Sequence, residues 1–239
     1  MPSDVEISLL ERIPIGSPEG RTRVIRSALS TSLLVKEKVR SAVGARTRTA
    51  FGNATEVLGP YLKKDAAPAL LKAQRQLAHG QKMIERQQAA LHKKAIGEPK
   101  ATDVVWVERL WALDPGKRAA LILTNPAARQ AALREPDLAG IDKAVFDHAM
   151  QRQIIEFHEP EGAKLQIAKM AQELHGLAVV ELERAILSVP AAVQPNGAVR
   201  PFVSANEFRA WVDRELPGQS IAAASMSEQI EIELIDEAA

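Results

Sequence analysis

Between Ala66 and Ile96 the chain carries Leu70, Leu77, Ile84 and Leu91, one large apolar residue at every seventh position. At about 100° per residue these four fall in a narrow arc on one side of a single long helix. Gln74, Gln81 and Gln88 flank the arc on one edge, and Ala73 and Gly80 flank it on the other. Lys72, Arg75, His79, Lys82, Arg86 and Lys93 gather on the opposite side. The segment therefore pairs a leucine seam with a basic stripe. The seam is an interface, either with the protein's own helices or with a second copy as a coiled coil. Gln and Ala at the partner positions make a weak coiled coil, so packing within the chain is favoured. Gly97 and Pro99 end the helix.

The remainder predicts a mainly α protein, a bundle of long and short helices with short strand-like segments at both termini. Val5, Ile7 and Leu9 alternate with polar residues, which predicts an N-terminal strand ended by Pro14. Ser17-Pro18-Glu19 reads as a helix start, with Ser as N-cap and the helix running to about Val43. Ile25, Leu29, Leu33, Lys36, Val39 and Val43 lie on one broad side of it. Gly52, Asn53, Gly59 and Pro60 read as breakers in a looser stretch. Asp114-Pro115, Asn125-Pro126 and Glu135-Pro136 punctuate short helices over 103–113, 115–124 and 126–134, and Asp114 and Asn125 are expected to cap the helices that their prolines begin. Val104, Val107, Leu110, Trp111, Leu121, Leu123 and Leu133 are their expected core residues. Two longer helices follow over 142–158 and 160–188, the second with Leu165, Met170, Leu174, Leu177, Leu182 and Ile186 apolar. Pro190–Pro201 is a loop with a turn at Pro195-Asn196-Gly197. Ser204 and Glu207 have capping-box spacing ahead of Phe208, Trp211 and Val212. Residues 219–227 read as a linker, and Ile230, Ile232 and Leu234 alternate with polar residues in a strand-like tail expected to add to a sheet edge at an interface. That edge is either the N-terminal strand or a sheet of another subunit. These divisions set an N-terminal arm at 1–16, a basic long-helix region at 17–100, a helical core region at 101–189, a loop and short helix at 190–218, and an acidic arm at 219–239.

A formal net charge of only +1 conceals a strong polarity. Residues 20–100 hold 17 Lys/Arg against 5 Asp/Glu, whereas residues 201–239 hold 2 against 8, and no basic residue follows Glu215. Such separation points to a polyanion-facing segment or to complementary surfaces that meet in an assembly. The 239 residues contain no cysteine, which excludes disulfides, thiolate metal sites and cysteine nucleophiles. No apolar run is long enough to span a membrane, and Met1–Ile15 lacks the pattern of a secretory signal, so synthesis in the cytoplasm is the expectation.

The histidines His79, His92, His148, His158 and His175 show no metal spacing and read as surface or interface residues. No nucleophile elbow, phosphate loop or dinucleotide motif occurs, so neither an enzyme nor a cofactor is expected. Trp106 and Trp111 read as core or interface anchors. The stretch LDPGKRAALILTNPAARQAALREPDLAGID, followed by two long helices, resembles helical virion proteins of tailed bacteriophages, namely head–tail connectors and internal head proteins. The resemblance covers roughly residues 110–190 and carries over no functional residue. It implies a ring or shell of identical subunits near packaged DNA, incorporated into a virion. The expected function is thus non-enzymatic assembly, as a homo-oligomer or with other proteins. The alternative is a nucleic-acid-binding protein whose Lys72, Arg75, Lys82, Arg86 and Lys93, with Arg21, Arg23, Arg26, Arg46 and Arg48, meet DNA phosphates without reading sequence.

Overall fold

A computed structural model describes residues 4–44, 49–193 and 198–216. The expected N-terminal strand is instead a helix, α1 (Asp4–Glu11). Its inward side uses Glu6 and Leu9, with Ile13 packed beside the same core, which is helical rather than alternating spacing. Val5 and Ile7 point outward. A helix satisfies its own backbone, and no strand partner exists for this segment among the described residues. The strand-like tail, with Ile230, Ile232 and Leu234, lies outside the described residues.

Helix α2 (Glu19–Gly44) buries Ile25, Ala28, Leu29, Ser32, Val35 and Ala42, leaving Val43 exposed. Ser17 does not cap it; the Ser17 hydroxyl donates to the Pro14 carbonyl at 2.7 Å. The expected looser stretch is in fact helical and leads straight into the long helix. Short α-helical pieces α3 (Ala50–Gly52) and α4 (Gly59–Tyr61) alternate with π turns over Asn53–Leu58 and Leu62–Ala66. Each wide turn comes just before a proline, Pro60 or Pro68. A proline has no N–H and clashes with the carbonyl four residues back, and wider turns relieve both demands without stopping the helix. Asn53 also acts across elements, donating its Nδ2 to the Ala42 carbonyl at 2.8 Å near the end of α2.

The long helix is α5 (Ala67–Ile96). Leu70, Ile84 and Leu91 are buried and Leu77 packs against the core, so the seam serves packing within the chain. Gly80 sits inside α5 because a Cβ there would collide with Gln172 Oε1. Gln172 in turn donates Nε2 to the Leu77 carbonyl at 2.6 Å.

The short helices α6 (Asp103–Trp111), α7 (Pro115–Thr124) and α8 (Pro126–Arg134) follow, each proline-led helix beginning at its proline. Asn125 caps α8, accepting from the N–H groups of Ala127 and Ala128 at 3.0 Å. Asp142 caps α9 (Lys143–Phe157), accepting from Val145 N at 2.8 Å. Helix α10 (Glu159–Leu187) buries Leu174, Leu182 and Ile186 but exposes Met170 and Leu177. The proline-rich loop holds a two-strand antiparallel hairpin, β1 (Ala192–Val193) with β2 (Val199–Arg200), in register Ala192–Arg200. In α11 (Ala205–Glu215), Ser204 Oγ accepts from Glu207 N at 3.2 Å, while the Glu207 carboxylate reaches Val203 N at 2.6 Å. Its buried face is Phe208, Trp211 and Val212.

The chain divides into two compact units, one from Met1–Gln81 with Met170–Ala239 and the other Lys82–Lys169. Both boundaries cut through helices, α5 and α10, where a local reading of breakers and composition sees no division. The first unit's core joins Ile25, Leu29, Leu58, Leu62, Leu70, Leu182 and Ile186 to an aromatic trio. In that trio Phe202 stands edge-on to Phe208 at 5.3 Å between centroids, and Phe208 stacks on Trp211 at 5.8 Å. The second unit's core is smaller-grained: Leu110, Ile122, Leu133 and Met150 set among five buried alanines.

Candidate interaction sites

Within Lys82–Lys169, three arginines complete the carbonyls that helix ends leave unpaired. At the end of α6, Arg118 donates Nε to the Leu110 carbonyl at 2.9 Å and Nη2 to that of Leu113 at 3.0 Å. Its Nη1 reaches the Gly140 carbonyl. Arg134 donates Nε to the Ile96 carbonyl at 3.0 Å and Nη1 to both Asp103 carboxylate oxygens at 2.9 Å. The fully buried Arg129 donates Nε to Gln153 Oε1 at 3.0 Å and Nη1 to the Leu123 carbonyl at 3.3 Å, and pairs with Glu156.

One consequence is a tryptophan held open to solvent. Trp111 is 63% exposed and Val104, seven residues earlier on the same face of α6, is 62% exposed, so neither belongs to the core as expected. The indole is nonetheless held from two directions. The Arg118 guanidinium lies 5.5 Å from its centroid, and that guanidinium is anchored by carbonyls. A Cβ on Gly140 would stand only 2.7 Å from ring carbon Cζ3, so the ring lies against that glycine. Gly140 has φ near +60°, a conformation glycine adopts without strain. Val105 and Leu138 add exposed apolar surface in the same unit. Neither Arg118 nor Gly140 carries a local sequence signal, because each matters through a partner 22 residues away along the chain.

The basic stripe is less uniform than its spacing implies. Lys72 is exposed in the first unit, while Arg75 is half-buried and engaged. Lys82, Arg86 and Lys93 are exposed in the second. Of the further arginines, Arg23 pairs with Glu19 at 3.1 Å, Arg21 is half-buried with its pKa lowered by burial, and Arg46 and Arg48 lie outside the described residues.

In the first unit, His175 is buried rather than at a surface. Burial first, and the Arg21 charge second, lower its pKa to about 4, so the imidazole is neutral at pH 7. Gln172 is buried one helical turn earlier on α10. On α1, the buried Glu6 carboxylate accepts from Ser32 Oγ at 3.2 Å and pairs with Lys36. Gln172, bonded to Leu77 of α5, and Glu6, bonded to Ser32 and Lys36 of α2, tie helices together.

Beside the π turns runs a groove of about 600 Å³. It is lined by Ala54, Gly59 and Pro60, by Ala191–Val193 and Phe202, and by Trp211 and Arg214 of α11. Lys63 and Lys64 stand on its rim. Glu215 pairs with Lys63 and accepts from Arg214 Nε at 2.9 Å, and these hydrogen bonds lower its pKa. Glu207 pairs with Arg200 at 2.7 Å, and the bond lowers the carboxylate's pKa in the same way.

Among the described residues no three His, Asp or Glu side chains gather as a metal set, and no helix is long and apolar enough to cross a membrane. No family model, curated protein or solved structure matches the chain.

Proposed function

We propose that the chain is a non-enzymatic structural protein that assembles, with copies of itself or with other proteins of a complex, through the Trp111 face of Lys82–Lys169. The supporting observation is the indole itself, 63% exposed yet packed against Gly140 and the Arg118 guanidinium. A rigid aromatic offered to solvent loses little side-chain entropy when covered, and tryptophan is among the commonest interface anchors. A virion component of the connector or internal-head kind is the finer form of this reading and rests on the resemblance over residues 110–190.

Light scattering at rising concentration tests it. The full chain should exceed its monomer mass of 26.0 kDa. Trp111→Ser should weaken association about 30-fold, equivalent to an interface anchor of about 2 kcal/mol, with the circular dichroism unchanged. A wild-type chain that stays monomeric throughout, alone and with candidate partners, defeats the proposal.

A second reading follows from the exposed cations Lys82, Arg86 and Lys93 on one face of α5. In it the protein contacts nucleic-acid phosphates without sequence preference. Affinity for random DNA should then fall steeply between about 50 and about 200 mM salt, and an affinity indifferent to salt excludes it.

A further inference from the structure

The groove beside the π turns has an apolar floor, a basic rim and a strand along one wall. Ala54, Ala191, Ala192, Val193, Phe202 and Trp211 supply the apolar lining. Lys63, Lys64 and Arg214 supply three positive charges against the two of Glu207 and Glu215. Glu215 pairs with Lys63 and Arg214 and Glu207 with Arg200, which leaves Lys64 as the lining cation without a carboxylate among the described residues. Strand β1 pairs only with β2, so its far edge carries no third strand among the described residues. A strand edge of this kind is a template for an added extended segment.

We propose that this groove is the docking site of the chain's own acidic C-terminal segment, Ser227–Ala239. The segment complements the groove in three respects. Ile230, Ile232 and Leu234 alternate along it, so an extended segment would turn all three to one side, toward the apolar lining. Glu228, Glu231, Glu233, Asp236 and Glu237 carry its charge with no basic residue among them, opposite in sign to the rim. Its starting point is also right, because Glu215, at the end of α11, lines the groove itself. The intervening residues 217–226 reach up to about 35 Å when extended, enough to turn back to a groove that begins where they do. So short a tether places the segment at an effective concentration in the millimolar range, which favours the chain's own tail over a neighbour's. With the N-terminal segment helical, β1–β2 is also the remaining described sheet to which a strand-like tail can add. Docking holds whether or not the chain assembles, since it requires no second copy.

The absence of cysteine makes a clean test available in the full-length chain. Val193→Cys, exposed in the groove wall, is combined in separate variants with Ile230→Cys, Ile232→Cys or Leu234→Cys. Leu34→Cys, exposed on α2 and outside the groove lining, replaces Val193→Cys as the control. After air oxidation, non-reducing gels and peptide mapping report which link forms and whether it lies within one chain. Docking predicts an intrachain Val193-to-tail disulfide that forms at least tenfold faster than the Leu34 control. It also predicts that Lys64→Glu slows that link about threefold, a surface-charge effect of under 1 kcal/mol. Equal rates at the two sites, no link at Val193, or a rate unaffected by Lys64→Glu would overturn it. A link that forms mainly between chains overturns it too, by assigning the groove to another copy's tail. A monomer that cross-links within the chain would keep this docking and refute assembly, so the two proposals fail separately.

Discussion

The two units differ in how completely they satisfy the polar groups in their interiors. In Lys82–Lys169 the buried Asp103, Arg129 and Gln153 are all hydrogen-bonded, and arginines complete the ends of α5, α6 and α7. In the other unit Glu6, Asn53 and Gln172 each keep a bond through one side-chain atom but leave the second, Glu6 Oε2, Asn53 Oδ1 and Gln172 Oε1, buried without a partner among the described residues, as is His175 Nε2. Each such atom costs about 1–3 kcal/mol. The unit that bears this cost has the larger apolar core, with its leucines, isoleucines and aromatic trio. The alanine-rich core of the other buries less per residue and relies on directional bonds. A unit held by directional bonds keeps a surface group such as Trp111 in one place. A unit held by apolar mass accommodates irregular backbone such as the two π turns, and the groove lies beside them.

The largest expected effect tests the directional half of this contrast. Arg129→Ala removes a fully buried side chain and takes the donor from Gln153 Oε1 and the Leu123 carbonyl, while the 40% exposed Glu156 stays solvated, so it should cost about 2–4 kcal/mol in urea unfolding. Hydrogen exchange should localise the loss to peptides of 82–169. A cost below about 1 kcal/mol would end the contrast. Gly80→Ala comes next. Alanine is the better helix former, yet its Cβ meets the tip of the Gln172 side chain, whose displacement would break the bond to Leu77, and a loss of about 1–2 kcal/mol is expected. Asn125→Ala should cost about 1 kcal/mol through the lost cap of α8, read as a lower denaturation midpoint.

The smallest effect is the sharpest for the other half. His175 Nε2 has no partner, so His175→Leu should change stability by less than about 1 kcal/mol, or raise it. A loss of about 3 kcal/mol would reveal a bond that the comparison denies. The pH profile supplies the sign. The folded pKa of about 4 lies below the ordinary 6.5, so the unfolded chain binds the proton first. This contribution to stability is complete above about pH 6.5, declines as pH falls through the interval, and is gone below about pH 4. The urea midpoint of the wild type should fall across that window, more steeply than in His175→Leu. Parallel profiles would show that His175 does not titrate there.

The elements that sequence made legible are those whose cause is local. Pro115 and Pro126 open helices because a missing N–H costs nothing at a first turn, and Asn125 and Ser204 cap because their oxygens reach the next turn's N–H groups, whereas Asp114 makes no capping bond to α7. The leucine seam announced α5 because its period is that of a helix. What escaped has a distant cause. Val5, Ile7 and Leu9 alternate like a strand, yet the choice of helix follows from Glu6 meeting Ser32 and Lys36 on α2. Asn53 and Pro60 look like breakers, but Asn53 bonds the end of α2, and the π turn ahead of Pro60 absorbs it. Trp111 looks like core, and only its position against Gly140 and Arg118 reveals it as surface. The basic stripe was legible as a pattern, while the engagement of Arg75 was not.

Hydrogen exchange of the full chain at low and high protein concentration tests most directly the claim that the Trp111 face is a docking surface. Raising the concentration, in the presence of partner proteins where they are required, should slow exchange in peptides covering 104–111 and 136–141. Peptides covering 20–40 should be unaffected, and Trp111→Ser should abolish the slowing. Association detected by light scattering without any slowing at 104–111 would place the interface elsewhere and contradict the account.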